Sequence, residues 1–244
     1  MNFVRFLPPE TADGPTNMAA DEVMLEGAVA GTASLRFYQW AIPTLSLGYF
    51  QPESARRADP RLSALPYVRR ASGGATLVHH HELTYALALP AGFKWQPKGA
   101  SWICRMHDAI SAALASLGVA AMAVGCGDER KLGETLCFQH QTAGDLLVSG
   151  HKVVGSAQRK RRGAQMQHGA ILLAQSPHAP DLLGLAELTE RKLTFEAVRV
   201  AVLRAVAAKT GWSVREHKWT SAERTRTRAL AAEKYGSASW NEKR

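Results

Sequence analysis

Two apolar stretches of strand length, GHKVVGSAQ at residues 150–158 and QHGAILL at residues 167–173, indicate how this chain folds. A short basic segment at residues 159–163 separates them and ends in a glycine, which is typical of a turn. Residues 145–158 and 165–174 are therefore predicted to form a β-hairpin. Lys152 stands near the start of the first of these stretches.

Working outward, the pattern of apolar residues predicts further strands at 3–6, 35–40 and 44–47, and two strands around a glycine turn in 67–89. Helices are predicted over about 17–30 with Thr16 as N-cap, over 101–117, over 195–210 ending at Gly211, and over 219–234. Strands and helices without strict βαβ alternation predict an α+β fold with a mixed central sheet flanked by helices. No linker rich in Gly, Pro or Ser is visible, so we expect one domain over 1–244 with a mainly helical C-terminal end.

The composition is that of a globular protein, with 46% hydrophobic and 21% charged residues, which excludes disordered and fibrous classes. Three cysteines without a CxxC pair favour a reducing compartment over a disulfide framework. The chain lacks an apolar run of about 20 residues and an N-terminal signal-peptide pattern. We therefore expect a cytoplasmic protein.

The formal net charge of +9 predicts an acidic partner or serves only solubility. Basic residues cluster at 56–57, 69–70, 159–162 and 224–228. Such clusters are a weak signal for nucleic acid. No zinc finger, RNP-like motif or recognition-helix pattern accompanies them, so nucleic acid is a disfavoured partner.

A second informative stretch, RRASGGATLVHHHELTY at residues 69–85, contains paired glycines preceded by two arginines. Glycines here would let the backbone approach a ligand closely, and the arginines could complement an acidic group. The alternative interpretation of the same residues is an ordinary hairpin turn. In a similar way, Lys152 could place an ammonium beside a bound carbonyl or phosphate, or could be a solvated lysine at a sheet edge.

Cys137, just ahead of the lysine strand, is the candidate nucleophile, since a thiol reacts well when cations lie near it. Cys126 lies in a loop and stays an alternative, whereas Cys104 is placed on the buried face of a helix. Three consecutive histidines, 79–81, suggest a metal site, but on a strand only His79 and His81 would share a face. No Cys or carboxylate at zinc spacing joins them, so we predict no metal.

In this order, the motifs resemble the lipoate–protein ligase A family, within the biotin/lipoate ligase fold. The resemblance runs from Asn17-Met18-Ala19 through RRASGGA and SGHKVVGSAQ to QHGAILL, and includes the closing Lys234-Tyr235 and Trp240-Asn241. It implies a biotin/lipoate ligase catalytic domain with a mixed sheet. It also implies that Lys152 is the essential lysine. The implied acyl-binding residues are Arg70, Ser72, Gly73, Gly74, His79, Gly155, Ser156, Ala157, His168 and Gly169.

Two branches of that family differ in chemistry. Ligases activate lipoate with ATP, whereas cysteine-dependent octanoyltransferases take octanoate from acyl carrier protein through an acyl-cysteine. The Cys137-Phe138 pair and the 82–85 ending ELTY resemble the transferase branch, and no accessory ligase domain is expected after the catalytic one.

By this resemblance, the chain moves an octanoyl (or lipoyl) group from octanoyl-acyl carrier protein, through Cys137, to a lysine of a lipoyl domain or a glycine-cleavage H-type protein. No cofactor is then required, because thioester exchange needs no nucleotide, and no membrane partner is expected. The alternatives are an ATP-dependent lipoate–protein ligase, which would need ATP and Mg, and a non-catalytic acyl- or partner-binding protein.

Overall fold

The computed structural model describes residues 3–93, 102–132 and 136–244. The strands are β1 (Phe3–Phe6), β2 (Glu10–Ala12), β3 (Ser34–Trp40), β4 (Thr44–Leu47), β5 (Tyr67–Arg69), β6 (Leu77–His79), β7 (Glu82–Leu89), β8 (Met122–Ala123), β9 (Arg130–Lys131), β10 (His140–Gln141), β11 (Leu146–Val148), β12 (His151–Arg161), β13 (Ala164–Leu172) and β14 (Ser213–Glu216). The α-helices are α1 (Gly14–Val29), α2 (Pro60–Ser63), α3 (Trp102–Ser116), α4 (Leu185–Thr189), α5 (Phe195–Thr210), α6 (Ser221–Leu230) and α7 (Ala238–Asn241).

A large mixed sheet forms the centre of the protein, in the order β14-β1-β3-β7-β13-β12-β11-β8, with β2 alongside β3. Its β14, β1 and β3 end is parallel, and the strands from β3 to β8 are antiparallel neighbours. A small sheet, β5-β4-β6, lies beside it. The predicted mixed sheet flanked by helices is confirmed.

Helices cover both faces of this sheet because both faces present apolar side chains. On one face Phe37, Tyr85 and Leu87 pack with Ile110 of α3 and Val202 of α5. Tyr38, Ala86 and Met166 pack on the other face with Met18 of α1 and Leu230 of α6. The core thus has two layers, and the candidate site lies in the layer that contains α1.

Helix α1 begins earlier than predicted. Asp13, not Thr16, is the N-cap, and its carboxylate accepts a hydrogen bond from the Thr16 amide at 2.9 Å. Pro15 in the first turn favours the same start, because proline needs no amide partner there. Helices α3 and α5 match their predicted positions, although residue 101 lies outside the described residues.

The prediction of two strands around a glycine turn in 67–89 was wrong. Strands β5 and β6 do not pair with each other; both pair with β4, in parallel and antiparallel register respectively. A third strand, β7, belongs to the large sheet. The 70–76 segment is therefore a loop between strands, free to face a ligand, and not a hairpin turn.

The hairpin of β12 and β13 is confirmed, with a shorter turn than expected. Val154 lies opposite Ile171 and Arg161 opposite Ala164. Only Arg162 and Gly163 form the turn, with φ of 47° and 80°, as two-residue hairpin turns of right-handed twist require. A second turn at Ser149 and Gly150 divides the first predicted strand into β11 and β12.

The C-terminal region is mainly helical, as predicted, except for one strand. β14 pairs with β1 along the parallel edge of the large sheet. The sequence pattern missed it because the strand is short and its partner lies at the opposite end of the chain. No helix among the described residues has the length and apolar character to cross a membrane.

Candidate active site

A cavity lies between helix α1, the 70–76 loop and strands β12 and β13. Its volume is about 480 Å³ when the open space at its mouth is included. Much of its wall consists of small or apolar side chains, which suits an acyl chain. These are Met18, Leu77, Phe138, Gly155, Ala157, Gly169 and Ala170.

Most of the residues predicted for the site line this cavity. They are Cys137, Arg70, Gly74, His79, Gly155, Ser156, Ala157, His168 and Gly169. The other three lie behind its wall: Lys152 and Ser72 contact lining residues, and Gly73 lies next to Gly74. Predicted site residues separated by up to 99 positions in sequence thus share one cavity (Arg70 to Gly169).

Cys137 is the first residue of a short 3₁₀ turn, Cys137–Gln139, and is half-buried. Its amide donates to the carbonyl of Thr76 at 2.7 Å, which ties the turn to the loop before β6. Cys126 is exposed and Cys104 is half-buried on α3. Of the three cysteines, all within the described residues, Cys137 alone lines the cavity.

Lys152 is buried, with 6% of its surface exposed, so the solvated-edge alternative is wrong. Its ammonium is 2.7 Å from Oδ2 of Asp145 and donates to the carbonyl of His140 at 2.8 Å. It also lies 3.3 Å from the carbonyl oxygen of Cys137. The cation is therefore held against the backbone of the candidate nucleophile.

Asp145 supplies the counter-charge for Lys152, a role that no motif in the sequence indicated. Its carboxylate accepts from the amide and the hydroxyl of Thr142, at 2.7 and 2.9 Å. Both members of the ion pair have side chains only 3% exposed. Removing one partner of such a pair typically costs about 3–5 kcal/mol, because the other charge is left buried alone.

The two arginines of the 70–76 region brace the backbone. Arg69 donates to the carbonyl oxygens of Asn241 and Gly48, and so joins the C-terminal segment to this loop. Arg70 donates to the carbonyls of Ser46, Gly73 and Ala75 at 2.7–2.9 Å. The expectation that both arginines complement an acidic ligand is thus not met, since their donors are directed at main-chain oxygens.

Arg70 nevertheless brings positive charge to the cavity that it lines. Burial lowers the pKa of its guanidinium to about 10, and the nearby Cys137 sulfur opposes that shift. At neutral pH Arg70 is still a cation, so Arg70 and Lys152 both place positive charge near the thiol.

The two glycines of the loop differ in their roles. Gly74 lines the cavity with φ of +92°, and a Cβ there would lie 2.9 Å from the Arg70 guanidinium. Its carbonyl oxygen is 1.8 Å from where a Cβ of Gly48 would stand, so the two backbones pass in direct contact. At Gly73 a Cβ would meet only Phe50, at 3.9 Å. Gly74, not Gly73, is the position that demands glycine.

His168 lies in the cavity wall between two polar partners. Its Nε2 is 2.5 Å from Oγ of Ser72, and its Nδ1 is 2.8 Å from Oδ2 of Asp21. Asp21 is buried on α1, where it also accepts from Arg36 at 2.7 Å and from the Tyr38 hydroxyl at 3.0 Å.

The protonation of this pair follows from its surroundings. Burial raises the pKa of Asp21, but Arg36 and the hydrogen bonds from His168 and Arg36 outweigh burial, so the pKa is lowered overall. Asp21 is thus a carboxylate, which fixes the proton of a neutral His168 ring on Nδ1. Asp21, which sequence reasoning missed, sits four residues after Asn17 of the motif that resembles the family.

His79 is a buried wall residue rather than a metal ligand. Its Nδ1 is 2.6 Å from Glu82, its Nε2 is 2.8 Å from the Ser46 hydroxyl, and its ring stacks on Trp40. His79 and His81 do not lie on one strand, since β6 ends at His79 and the His81 ring stacks on that of His80. Within the described ranges, no group of three or more His, Cys, Asp and Glu side chains is arranged to hold a metal ion.

Ser156 is held by a second buried histidine that the sequence did not reveal. His107 of α3 directs Nδ1 at the carbonyl of Gly144, at 2.5 Å, and Nε2 at the Ser156 hydroxyl, at 2.8 Å. Burial lowers the pKa of His107, so the ring is neutral and Ser156 donates to it. The amide of Gln167 donates to the same hydroxyl oxygen, which fixes Ser156 in the wall.

The arrangement has the parts of an acyl-transfer site. A cysteine on an apolar cavity can attack a thioester or activated acyl group, and nearby cations stabilise the negative charge that develops on oxygen and sulfur. A histidine oriented by a carboxylate can accept a proton from an incoming nucleophile.

The chain is similar to known proteins of one family. Residues 13–190 match the family described as lipoyl protein ligase A/B catalytic domain. The chain is 33% identical to octanoyltransferase LipM of Symbiobacterium thermophilum, with 97% of each chain covered. It is 31% identical to octanoyltransferase LipM of Geobacillus kaustophilus, with 98% of each chain covered.

Solved structures share the fold at lower identity. A lipoate-protein ligase A bound with ATP is similar with a TM-score of 0.80 and 21% identity, covering 99% of both chains. A bi-partite lipoate protein ligase of Thermoplasma acidophilum, studied with its E2 lipoyl domain, is similar with a TM-score of 0.74 and 20% identity, covering 99% of this chain and 97% of that one. At this level of identity, the similarity to these structures shows a shared fold only.

Proposed function

The chain belongs to the lipoyl protein ligase A/B catalytic domain family, and we propose that it transfers an octanoyl (or lipoyl) group through Cys137 to a lysine of a carrier domain. Its similarity to octanoyltransferases over nearly its whole length supports octanoyl transfer as its activity. The proposed donor is octanoyl-acyl carrier protein.

The position of Cys137 is the observation that carries this proposal. The thiol lines a cavity whose wall also contains Gly74, Gly155 and His168. The carbonyl oxygen of Cys137 accepts a hydrogen bond from Lys152. An ATP-dependent ligase needs no nucleophile of its own at this place, because the acyl group is activated as an adenylate. A cysteine in the acyl cavity is what a two-step transfer requires.

In the first step, the Cys137 thiolate attacks the thioester carbonyl carbon, and a new C–S bond forms. The bond to the carrier's sulfur breaks, and that sulfur leaves as a thiolate that takes up a proton. Arg70 and Lys152, whose donors are directed at main-chain oxygens and Asp145, stabilise the developing negative charge through their positive charge near the thiol. In the second step, a lysine amine displaces Cys137 and forms an amide.

The energetics agree with a reaction that needs no nucleotide. Exchange between two thioesters is close to thermoneutral, and conversion of a thioester to an amide is downhill. We therefore propose that neither ATP nor a metal is required.

The acceptor we propose is a lipoyl domain or an H-type carrier of glycine cleavage. The structurally similar archaeal ligase was studied with an E2 lipoyl domain. Carriers of this kind are typically acidic, and the chain has a formal net charge of +9, so long-range attraction would speed their encounter.

An ATP-dependent ligase is the second candidate, favoured by the likeness to a ligase structure bound with ATP. One experiment separates the two. The protein is incubated with octanoyl-acyl carrier protein and a lipoyl domain, with and without ATP. The masses of the lipoyl domain and of the enzyme are then measured by mass spectrometry.

We expect ATP-independent octanoylation of the acceptor and a hydroxylamine-labile adduct on Cys137. Cys137→Ser should abolish both, while Cys104→Ser and Cys126→Ser, the matched controls, retain them. Octanoylation that depends on ATP and survives Cys137→Ser would establish the ligase. Bound acyl carrier without any transfer would favour a non-catalytic binding protein.

A further inference from the structure

A second cavity lies directly behind His168. His168 and Met18 line both cavities, so the two cavities adjoin at these side chains. Around the second cavity, the inner residues Asp21, His168 and Tyr235 are buried, whereas Arg159 and Arg161 at its rim are exposed. The second cavity therefore leads from solvent to the imidazole ring of His168.

A lysine of the chain itself already occupies a binding site for ammonium in this second cavity. Nζ of Lys234 is 2.6 Å from Oε2 of Glu22 and lies 4.1 Å above the ring of Trp240. The hydroxyl of Tyr235 donates to the same carboxylate oxygen at 2.7 Å, and its ring lies 5.0 Å from the ammonium. A carboxylate and two aromatic faces form a favourable environment for a primary ammonium.

We propose that the second cavity admits the acceptor lysine, and that His168 removes a proton from its ammonium before the amine attacks the acyl group on Cys137. This inference rests on the proposed function. The incoming ammonium would replace Lys234 beside Glu22 one for one, so the charge of the cavity would not change. Arg159 and Arg161 at the rim would face acidic side chains of the acceptor domain.

His168 has the geometry of a base for this step. Nδ1–H donates to Asp21, which leaves the lone pair of Nε2 as the acceptor, now satisfied by Ser72 at 2.5 Å. An incoming ammonium would donate to that lone pair once the Ser72 hydroxyl no longer does. Asp21 is a positioning residue here, since it orients the ring and stabilises the imidazolium.

The protons balance as follows. The ammonium gives one proton to Nε2, and the neutral amine forms a C–N bond to the thioester carbon. The C–S bond then breaks, the electron pair goes to the sulfur of Cys137, and the second nitrogen proton follows it. His168 releases its proton to water, so the products are an amide, a free thiol and one proton.

Single-turnover experiments test this role. The chain and its His168→Gln variant are each loaded with octanoyl from octanoyl-acyl carrier protein and freed of donor. A lipoyl domain is then added. Once loaded, His168→Gln should acylate the domain roughly 100-fold more slowly at neutral pH than the loaded wild type, as loss of a general base does.

Two readouts distinguish a base from a merely structural residue. The deficit of His168→Gln should shrink towards about pH 10, because a free lysine amine titrates at about 10.4 and is then neutral without help. Hydroxylamine, which is neutral at neutral pH, should discharge both loaded enzymes at equal rates.

The charged groups that line the two cavities around His168 are Asp21, Glu22, Arg70, Arg159, Arg161 and Lys234.

Glu22→Gln tests the second cavity, with Glu26→Gln as the matched control. Both glutamates lie on α1 one turn apart and pair with arginine, but Glu26 does not line the cavity. Glu22→Gln should raise the acceptor concentration needed for half-maximal transfer, on the order of five- to tenfold, as loss of one charge-assisted contact does. Glu26→Gln should not.

Several results would overturn the inference alone. They are wild-type acceptor transfer by His168→Gln, a deficit that is the same with hydroxylamine or at high pH, and equal effects of the two glutamate variants. A wild-type chain that forms no acyl-enzyme would instead overturn the proposed function, and this inference with it.

Discussion

The side chain of Lys152 passes so close over Gly155, three residues later on the same strand, that a Cβ on Gly155 would lie 2.6 Å from Cε of the lysine. The glycine therefore makes room for the lysine, whose ammonium in turn contacts Asp145 and the carbonyl of Cys137. Two residues of one short motif thus act as a unit, and the second is needed only because the first is buried.

Gly155→Ala should displace the Lys152 ammonium and slow acylation of Cys137 on the order of tenfold or more, because a cation near the developing negative charge is moved away. The loss should not add to that of Lys152→Met, because no ammonium is then left to displace. The rate of carrier thiol release in the single and double variants measures this. Additive losses would show that Gly155 acts on the cavity independently of the lysine.

Gly74→Ala should destabilise the protein and impair transfer, whereas Gly73→Ala should do neither. Only Gly74 has a positive φ, +92°, and a Cβ there would press on Arg70. Backbone strain of this kind costs about 1–3 kcal/mol, which lowers Tm by about 2–4 °C per kcal/mol in a chain of this size. Thermal unfolding and the transfer assay on both variants decide the matter. Similar behaviour of the two would contradict the proposed difference.

The exposed charges at the tip of the β12–β13 hairpin should aid docking of acidic carriers. Lys160→Gln combined with Arg162→Gln should raise KM for octanoyl-acyl carrier protein roughly two- to tenfold, since exposed charges contribute about 0.2–1 kcal/mol each. The effect should fade at high salt and be absent with a small octanoyl thioester.

The matched control is Arg204→Gln with Lys209→Gln, which removes two exposed charges from α5. An equal effect from α5 would reduce the role of the hairpin to net charge. Slower reaction with the small thioester would show that the hairpin shapes the cavity itself.

Stability should fall in acid partly through Asp21. Its pKa is lowered below 3.8 in the folded protein, so its contribution is present above about pH 4 and is lost as the pH falls through the folded value. Asp21→Asn should cost about 3–5 kcal/mol at neutral pH and should lose less further stability below pH 4 than the wild type. Asp108→Asn, an exposed position on α3, serves as control in denaturant unfolding across this range.

Local sequence determined the strand pair, the cysteine and the lysine of the site. GHKVVGSAQ and QHGAILL fix the β12–β13 hairpin because their apolar pattern and the turn between them act over a few residues. Local patterns also led to two wrong predictions. Thr16 was predicted as the N-cap of a helix that Asp13 caps. In 67–89, β5 and β6 were predicted to pair with each other, but both pair with β4.

Only the tertiary structure decided which distant residues meet. Asp21 and His168 are 147 residues apart, and Ser72 is 96 residues from His168, yet the three form one chain of hydrogen bonds. Packing of α1 on the central sheet brings them together, and burial then makes each polar contact obligatory. The sequence contains these side chains but not their distances, since those follow from which faces of the helix and sheet exclude water together.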